Sequence, residues 1–356
     1  MSELILAINP GSTSTKIAVY KDGRELFCKT LRHSSEELAP YKTVIDQLEF
    51  RKQTIKNALK ENNIALSDLN LIVGRGGLVR PIPSGVYIVN DAMIDDIKSG
   101  KNGEHASNLG AMIARDLADE VGGIMAIIAD PVVVDELDPV ARITGHPAFR
   151  KISIFHALNQ KAIAKLYARE HGKNYNELNL IVAHLGGGVS VGIRKKGRVV
   201  DVNDALSGDG PFSPERSGSL PAAQLVDICF SGKHSKDEIK KMISGKGGVV
   251  AYLGTNSFQE VEKRVEEGDK EAQLISDAFA YQLAKEIGAM ATVVSGEVDA
   301  IILTGGIAYN KGLMESVKRK VSFIAPVSIY PGEDEMGALA QNGFSVLEGK
   351  EEAKVY

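Results

Sequence analysis

A run of small polar residues near the start of the chain has the composition of a phosphate-binding turn. Segment 9–16 reads NPGSTSTK and follows an apolar strand pattern. Its hydroxyls, carboxamide and ammonium suit phosphate oxygens, which accept many short hydrogen bonds. These groups belong to Asn9, Ser12, Thr13, Ser14 and Lys16. An ordinary polar hairpin loop would favour the same serines and threonines. Lys16 favours the phosphate interpretation, but this is not a Walker P-loop, because GxxxxGK[ST] occurs nowhere in the chain.

Three consecutive glycines form a similar turn at the end of a second strand pattern. They follow His184 and Leu185 and are Gly186, Gly187 and Gly188. The backbone N–H groups of such a turn could cradle a second phosphate, although a β-bulge or tight turn would need the same residues. The overlapping GVSVG at 188–192 matches the GxSxG elbow of serine hydrolases. Ser190 lies inside an alternating strand rather than at a strand-to-helix turn, which argues against a serine hydrolase.

A third glycine turn, made of Gly305 and Gly306, ends the apolar strand AIILT and leads into Ile307. A glycine pair at this point could admit a flat adenine or a ribose against the backbone. It could equally allow a helix to pack closely on the strand. Both interpretations are open at this stage, because ligand binding and close helix packing each require a residue without a side chain.

Single charged residues supply the other candidates, namely Asp130, His156, Arg216 and Glu335. Each on its own is more often a cap, a loop charge or a surface group. Asp130 is the strongest, because it ends a strand and open α/β sheets bind ligands at strand ends. His105 has an equally good structural interpretation. The sequence contains neither HExxH nor a Cys/His cluster, so it shows no zinc motif.

The elements that would position these residues fall into two similar halves. Residues 4–24 and 180–198 each read as an apolar strand, a turn of small residues, a second strand and a Lys-x-Gly-Arg turn. Strands at 71–77 and 300–306 also end in glycine pairs, which would let the backbone approach a ligand closely. Because ligands bind outside the carboxyl ends of strands, four such ends predict a large anionic ligand held between two domains.

Helical spacing predicts helices over 157–170, 271–294 and 335–347. The charged tail at 348–356 is expected to be frayed. A Pro-containing turn just before Arg150 predicts the boundary between the two domains.

Composition excludes several classes of protein. A length of 356 residues suggests two domains, at about 150 residues each. A net charge of −4 gives no electrostatic case for nucleic-acid binding. Cys28 and Cys229 are too far apart in sequence to suggest a disulfide framework or a cysteine metal site. No apolar run reaches the ~18–20 residues that cross a bilayer, and the start lacks the basic region of a signal peptide. We therefore expect a cytoplasmic protein with no membrane partner.

Taken together, the motifs resemble those of the acetokinase family, within the superfamily of acetate and sugar kinases, Hsp70 and actin. Segment 9–20 is similar to the first phosphate motif, 183–192 to the second, and 303–310, which ends at Asn310, to the adenosine motif. The segments that resemble the butyrate-kinase branch are 100–111, 129–137, 153–161 and 207–221. The resemblance covers essentially the whole chain.

The resemblance implies an α/β fold of two RNase H-like (actin-like ATPase) domains flanking a nucleotide cleft. These domains would span 1–150 and 151–335, and the helix and tail at 336–356 would pack back on the first. It implies reversible, ATP-dependent phosphorylation of butyrate or a similar short or branched-chain fatty acid, with ATP/ADP and Mg²⁺ as cofactors. It also implies a homodimer or a larger homo-oligomer. The alternatives are an acetate or propionate kinase and a non-kinase ATPase or regulator of the Hsp70/actin type.

The catalytic set of the family carries over residue by residue. Asn9 would contact the transferred phosphoryl group, and His156 would donate to the charge that develops on it. Arg75 and Arg216 would hold the acid and the phosphoryl oxygens.

The resemblance also implies the metal and nucleotide ligands. Asp130, a member of the catalytic set as well, and Glu335 would organise Mg²⁺ through its waters. The nucleotide would be bound by Ser12, Thr13, Ser14, Lys16, His184, Gly186, Gly187, Gly188, Gly305, Gly306, Ile307 and Asn310.

Overall fold

The computed structural model describes residues 3–356, which divide into two compact units. The first unit extends through Val134 and takes in Asp334–Tyr356, and the second comprises Asp135–Glu333. The carboxyl-terminal helix therefore belongs to the same unit as the amino-terminal hairpin. Each unit is built around its own β-sheet.

The boundary expected near Arg150 lies inside the second unit. On one side of it, the Asp138 N–H donates to the carbonyl of Val200 at 2.9 Å. On the other side, Lys151 Nζ pairs with Asp201 Oδ1 at 2.6 Å. Both partners lie on one strand of the second unit, and a local turn signal contains no information about such distant contacts.

Residues 3–356 form twelve strands and twelve α-helices. The strands are β1 (Leu4–Pro10), β2 (Ser14–Lys21), β3 (Arg24–Arg32), β4 (Leu71–Arg75), β5 (Val86–Ile88), β6 (Met125–Ala129), β7 (Asn179–Leu185), β8 (Val189–Lys195), β9 (Arg198–Val202), β10 (Ala300–Gly305), β11 (Val327–Pro331) and β12 (Lys354–Val355). The helices are α1 (Ser35–Leu38), α2 (Leu48–Glu61), α3 (Asp91–Lys98), α4 (Asn108–Glu120), α5 (Ala157–Glu170), α6 (Ala222–Phe230), α7 (Lys236–Ile243), α8 (Val249–Leu253), α9 (Phe258–Glu266), α10 (Lys270–Thr292), α11 (Lys311–Val321) and α12 (Glu335–Leu347).

The first unit has a seven-stranded mixed sheet in the order β12-β5-β6-β4-β1-β2-β3. β1 is antiparallel to β2 and parallel to β4, and β4 is parallel to β6. Side chains alternate between the two faces of a strand, and both faces of β1 are buried. Leu6 and Ile8 join a core that includes Ile55 of α2. Ile5 lies on the opposite face, beside Gly343 of α12.

The glycines at 71–77 serve close packing inside the first unit. A Cβ at Gly74 would collide with the carbonyl of Gly110 in α4, and one at Gly77 would collide with Asn108 of the same helix. Close packing thus accounts for these two glycines, and the expectation that this strand end brings its backbone close to a ligand stays a prediction. The missing side chains are needed because α4 lies directly against β4.

The tail is packed, so the expectation that 348–356 is frayed is wrong. β12 pairs in parallel with β5 at the edge of the sheet. Tyr356 is 9% exposed, and its hydroxyl donates to Asp96. The guanidinium of Arg80 lies 3.9 Å from the centre of the Tyr356 ring. An aromatic anchor thus holds a segment whose composition resembles a solvated tail.

The second unit repeats the central plan of the first. Its five-stranded sheet has the order β11-β10-β7-β8-β9, which corresponds to β6-β4-β1-β2-β3. β7 is antiparallel to β8 and parallel to β10, as β1 is to β2 and β4. The two hairpins with similar sequences therefore occupy equivalent places in their sheets.

Helices cover both faces of the second sheet. Phe279, Leu283 and Ile287 of α10 pack in one core with Val191 and Ile193 of β8. α5 supplies a smaller cluster against β7 and β10 on the other face. The observed bounds of α5 and α12 equal the predicted ones, and α10 differs from its prediction by one or two residues. No helix between residues 3 and 356 has both the length and the apolar character needed to cross a membrane.

Candidate active site

Three of the predicted site residues lie in a row at the carboxyl ends of parallel strands in the first unit. Asn9 is the last residue but one of β1, Arg75 ends β4, and Asp130 directly follows β6. The strand registers align these three positions to within one residue. This edge of the sheet is where an open α/β sheet binds its ligand.

Glu335 joins two members of this row although it lies far away in the sequence. It is the first residue of α12, whose N-cap Asp334 accepts a hydrogen bond from the Gly337 N–H. Asn9 Nδ2 donates to Glu335 Oε2 at 2.6 Å, and the Arg75 guanidinium pairs with Oε1. The side chains of Arg75 and Glu335 are 18% and 20% exposed. A cation, a carboxamide and a carboxylate thus form one half-buried cluster.

Asp130 is held rigidly at the end of β6. Its side chain is 2% exposed, and Oδ1 accepts hydrogen bonds from the Ser84 hydroxyl at 2.6 Å and the Gly85 N–H at 2.8 Å. Its φ of +39° lies in the left-handed region, which costs a non-glycine residue about 1–3 kcal/mol and persists only where the surrounding structure holds the residue in place. The carboxylate is therefore fixed in direction at this edge.

Segment 11–15, which we call the phosphate loop after the role predicted for it, comprises the turn after β1 and the first two residues of β2. Ser12 and Thr13 are exposed and Ser14 is half-buried. Lys16 is exposed and lies opposite Asn9 in the antiparallel register. The polar side chains identified in the sequence are thus collected at the same sheet edge as Asn9.

Arg51 of α2 lies under this loop, and the sequence reasoning missed it. Its side chain is fully buried. Nη1 donates to the carbonyls of Gly11 at 2.7 Å and Ser14 at 2.9 Å, and Nη2 donates to the carbonyl of Ser12 at 2.9 Å. Helical periodicity could have revealed it, because Arg51 falls on the buried stripe of α2 that includes Ile55.

Two histidines of the second unit stack face to face. The rings of His156, which precedes α5, and His184 of β7 are 3.8 Å apart and inclined by 16°. Ser190 Oγ accepts from Gln160 Nε2 at 2.9 Å, so its own proton is available to His156 Nδ1 at 2.8 Å. A neutral His156 then carries its proton on Nε2. His184 is fixed by Asn159 Oδ1 at 2.8 Å from Nδ1.

Ser190 is therefore a positioning group. It is fully buried within β8, where no substrate carbonyl could reach its oxygen. This agrees with the argument from the sequence against a serine hydrolase. Neither Ser190 nor Gln160 was identified from the sequence as a support for His156, because the contacts join a strand to a helix far from it in the chain.

Arg216 is built into the second glycine turn. Its Nη1 donates to the carbonyl of Ala205 at 2.6 Å, and a Cβ at Gly188 would collide with this nitrogen. Ser213 Oγ accepts from the Arg216 N–H at 3.2 Å and donates to the carbonyl of Gly187 at 2.7 Å. Burial lowers the pKa of the Arg216 guanidinium from its ordinary value, although it remains charged at neutral pH. Gly188 is thus required by Arg216 itself.

Comparison with known proteins adds an independent finding. The sequence model of the acetokinase family matches residues 148–342, which are more than half of the chain. Butyrate kinase 2 of Clostridium acetobutylicum is 56% identical over 352 residues, which cover 99% of each chain. A probable butyrate kinase of Clostridium botulinum is 55% identical over the whole of both chains. This chain belongs to the acetokinase family.

Solved structures similar to this acetokinase-family chain confirm the predicted fold class. An acetate kinase of Porphyromonas gingivalis has a TM-score of 0.81 at 18% identity, covering 97% of this chain and 100% of that one. A propionate kinase of Francisella tularensis has a TM-score of 0.75 at 19% identity, covering 96% and 98%. The fold is thus the α/β fold of actin-like ATPases, with two sheets.

The third glycine turn has mixed surroundings in this member of the family. A Cβ at Gly305, whose φ is +93°, would collide with the Leu185 carbonyl, whereas Gly306 faces open space. Ile307 is 8% exposed, and Asn310 caps α11 by accepting from the Leu313 N–H at 2.8 Å. Close packing therefore accounts for Gly305. Nucleotide binding by Gly305, Gly306, Ile307 and Asn310 stays a prediction.

His105 lies beside the Arg75 cluster. The Ser107 N–H donates to His105 Nδ1 at 3.2 Å, and the Ser107 hydroxyl is 2.8 Å from the same atom. Burial, and then the positive charge of Arg75, lower the pKa of His105 from its ordinary value. The imidazole is therefore neutral at pH 7, with its proton on Nε2. The sequence offered no means of distinguishing this arrangement from an ordinary structural histidine.

Proposed function

We propose that this chain transfers the γ-phosphoryl group of ATP to the carboxylate of butyrate, or of a similar short or branched-chain fatty acid. The products are the acyl phosphate and ADP, and the reaction is reversible. The observation that carries the proposal is the full-length similarity to butyrate kinases, at 55–57% identity. The polar clusters at the strand ends of each unit are suited to this chemistry.

A carboxylate acceptor explains why positive charges and amides dominate the candidate site. A fatty acid has a pKa near 4 and is already ionised at pH 7, so no strong general base is needed to make it a nucleophile. The obstacle is the repulsion between an anion and a polyphosphate. Positioning and electrostatic stabilisation therefore supply most of the catalysis.

Four residues would meet these requirements. Asn9 would contact the transferred phosphoryl group, and Arg75 and Arg216 would hold the acid and the phosphoryl oxygens. His156 would donate from Nε2 to the charge that develops during transfer, a direction supported by the Ser190 hydroxyl at its Nδ1. Each of these side chains has its orientation set by a neighbouring group, which reduces the reorganisation needed at the moment of transfer.

The nucleotide would be held by the three glycine or hydroxyl turns. The proposed contacts are Ser12, Thr13, Ser14, Lys16, His184, Gly186, Gly187, Gly188, Gly305, Gly306, Ile307 and Asn310. Several of these positions offer backbone N–H groups without a side chain in the way; Gly187, for example, has open space where a Cβ would be.

The oxygen donors of the first unit fit Mg²⁺, which prefers carboxylates and keeps several waters. Both oxygens of Glu335 already accept hydrogen bonds, from Asn9 and Arg75. Contact through the waters of the ion therefore fits Glu335 better than direct coordination. Among residues 3–356, no group of three or more His, Cys, Asp or Glu could hold a metal ion, so phosphate oxygens must supply much of its coordination. Mg²⁺ bound near Asp130 would neutralise charge on the phosphates.

We also propose that the protein is a homo-oligomer and works in the cytoplasm, where ATP is supplied. α6 supports the first point, because none of its residues is buried. Its Val226, Ile228 and Phe230 are 54%, 40% and 86% exposed. A second copy of the chain covering this face would remove that apolar surface from water.

The experiment that tests the proposed reaction is ATP- and Mg²⁺-dependent formation of acyl phosphate, trapped with hydroxylamine. The acids compared would be acetate, propionate, butyrate, isobutyrate and valerate. One methylene changes binding by only about 1–3 kcal/mol, so we expect a graded profile with its maximum at butyrate or isobutyrate. A maximum at acetate would overturn the choice of acid, and the absence of any acid-dependent product would overturn the kinase proposal.

A further inference from the structure

Among residues 3–356, the buried guanidinium of Arg51 has no acidic partner. Besides the three carbonyls of the phosphate loop, it donates to Thr15 Oγ1 at 3.1 Å and to Gln47 Oε1 at 3.0 and 2.8 Å. Every one of these acceptors is neutral. A fully buried charge without a counter-ion is costly, and burial lowers the pKa of this guanidinium from its ordinary value. An arginine at the surface of α2, or one paired with an acidic residue, would avoid this cost in free energy.

The contacts of Arg51 determine which backbone groups the loop leaves available. The carbonyls of Gly11, Ser12 and Ser14 are taken by the guanidinium. The carbonyl of Thr13 accepts from the His33 N–H at 2.9 Å. In the part of the chain that the structure describes, the N–H groups of Ser12 and Thr13 donate to no protein acceptor. The loop therefore turns its acceptors toward the protein and keeps donors for an anion.

We propose that Arg51 is a positioning residue of the phosphate loop, which fixes the loop carbonyls away from the nucleotide phosphates and places a buried positive charge beneath them. The proposal rests on the function proposed above, because it takes the loop as a phosphate site. Charges separated by protein interior attract each other more strongly than they do across water, and salt screens them less. A bound phosphate would thus compensate a charge that no acidic group in the described part of the chain neutralises.

Two substitutions separate the charge from the hydrogen bonds. Arg51→Met keeps an unbranched apolar chain and removes both. Arg51→Lys keeps the charge but has one nitrogen in place of the three that Arg51 uses on different acceptors. Ile55→Ala is the matched control, because Ile55 is fully buried one turn later on α2 and belongs to the core. It should lower the melting temperature without altering the loop.

The measurements are kcat/KM for MgATP and the rise in melting temperature caused by saturating MgATP. A loop displaced by about 1 Å can cost ~10²-fold in rate, so we expect Arg51→Met to lose about that much in kcat/KM. It should also lose most of the MgATP-induced rise. Arg51→Lys should fall between Arg51→Met and the unsubstituted protein in both measurements. Ile55→Ala should keep the full ligand-induced rise although its starting melting temperature is lower.

Equal behaviour of Arg51→Met and Ile55→Ala would overturn the proposal, since Arg51 would then be only a structural residue. If Arg51→Met does not fold, Arg51→Lys decides, and an unchanged kcat/KM for MgATP in that variant would overturn the proposal. Failure of the proposed function has a different signature. The unsubstituted protein would then give no acid-dependent acyl phosphate, while MgATP would still raise its melting temperature and not that of Arg51→Met.

Discussion

Arg216 is built into the second glycine turn of the second unit. Its guanidinium is anchored on the Ala205 carbonyl and lies against Gly188. By analogy with the loss of an oxyanion donor, we expect Arg216→Ala to lower kcat by about 10²–10³-fold. Arg198→Ala is the control, because the Arg198 side chain is 59% exposed. Its contacts are a loose ion pair with Asp138 at 3.7 Å and a hydrogen bond to the Glu136 carbonyl at 3.2 Å. Unchanged turnover in Arg216→Ala would remove Arg216 from the mechanism.

Glu335 is the residue whose loss should affect the metal requirement. Glu335→Gln removes the charge that pairs with Arg75 and leaves the side chain nearly the same size. Loss of a partner that acts on a metal through its outer shell costs about 10–100-fold in affinity or activity. We therefore expect the half-saturating Mg²⁺ concentration to rise by about tenfold. Titration of activity with Mg²⁺ at fixed ATP measures this, and an unchanged curve would exclude Glu335 from the metal site.

At the scale of elements, the β12 segment should stabilise the first unit through Tyr356. A hydrogen bond to a charged group contributes about 1.5–3 kcal/mol, so Tyr356→Phe should lower the free energy of unfolding by about 2 kcal/mol. Urea unfolding measures this. Tyr41→Phe is the control, since the Tyr41 hydroxyl has no hydrogen bond among residues 3–356. A value for Tyr356→Phe equal to that of Tyr41→Phe would mean that the tail contributes little.

The same hydrogen bond should make that contribution depend on pH. Burial first, and then the hydrogen bond to Asp96, raise the pKa of Tyr356 to about 12, above its ordinary value of 10.0. The folded protein therefore holds this proton more tightly than the unfolded chain does. The resulting stability is complete below about pH 10 and is lost as the pH rises through the folded value. The difference in melting temperature between the unsubstituted protein and Tyr356→Phe should shrink between pH 9 and 12; a constant difference would contradict this.

At the scale of the whole molecule, the exposed face of α6 predicts self-association. Phe230→Asp would place a charge in an apolar contact between copies, so we expect the assembly to dissociate toward monomers. Phe323→Asp is a closely matched control, because Phe323 is 84% exposed compared with 86% for Phe230. Sedimentation equilibrium measures the mass of each variant. An assembly unchanged by Phe230→Asp would mean that copies associate elsewhere.

Much of the fold could be read from the sequence because its signals are local. The bounds of α5 and α12 follow from helical spacing, and the paired hairpins follow from strand patterns with turns of small residues. The polar groups of the phosphate loop were evident for the same reason. The domain boundary and the tail were misjudged, since Asp138 and Tyr356 are held by partners far away in the chain.

The sequence by itself determined the types of residue at the strand ends, the repeated plan of two α/β units and the family. Each depends on residues that are neighbours or lie at a fixed period along the chain. Only the tertiary structure decided that Asn9 and Arg75 meet on Glu335, and that Arg51 supports the phosphate loop. The reason is physical: hydrogen bonds and burial depend on distances in space, and these are set by how α2, α12 and the strands pack, which no single segment specifies.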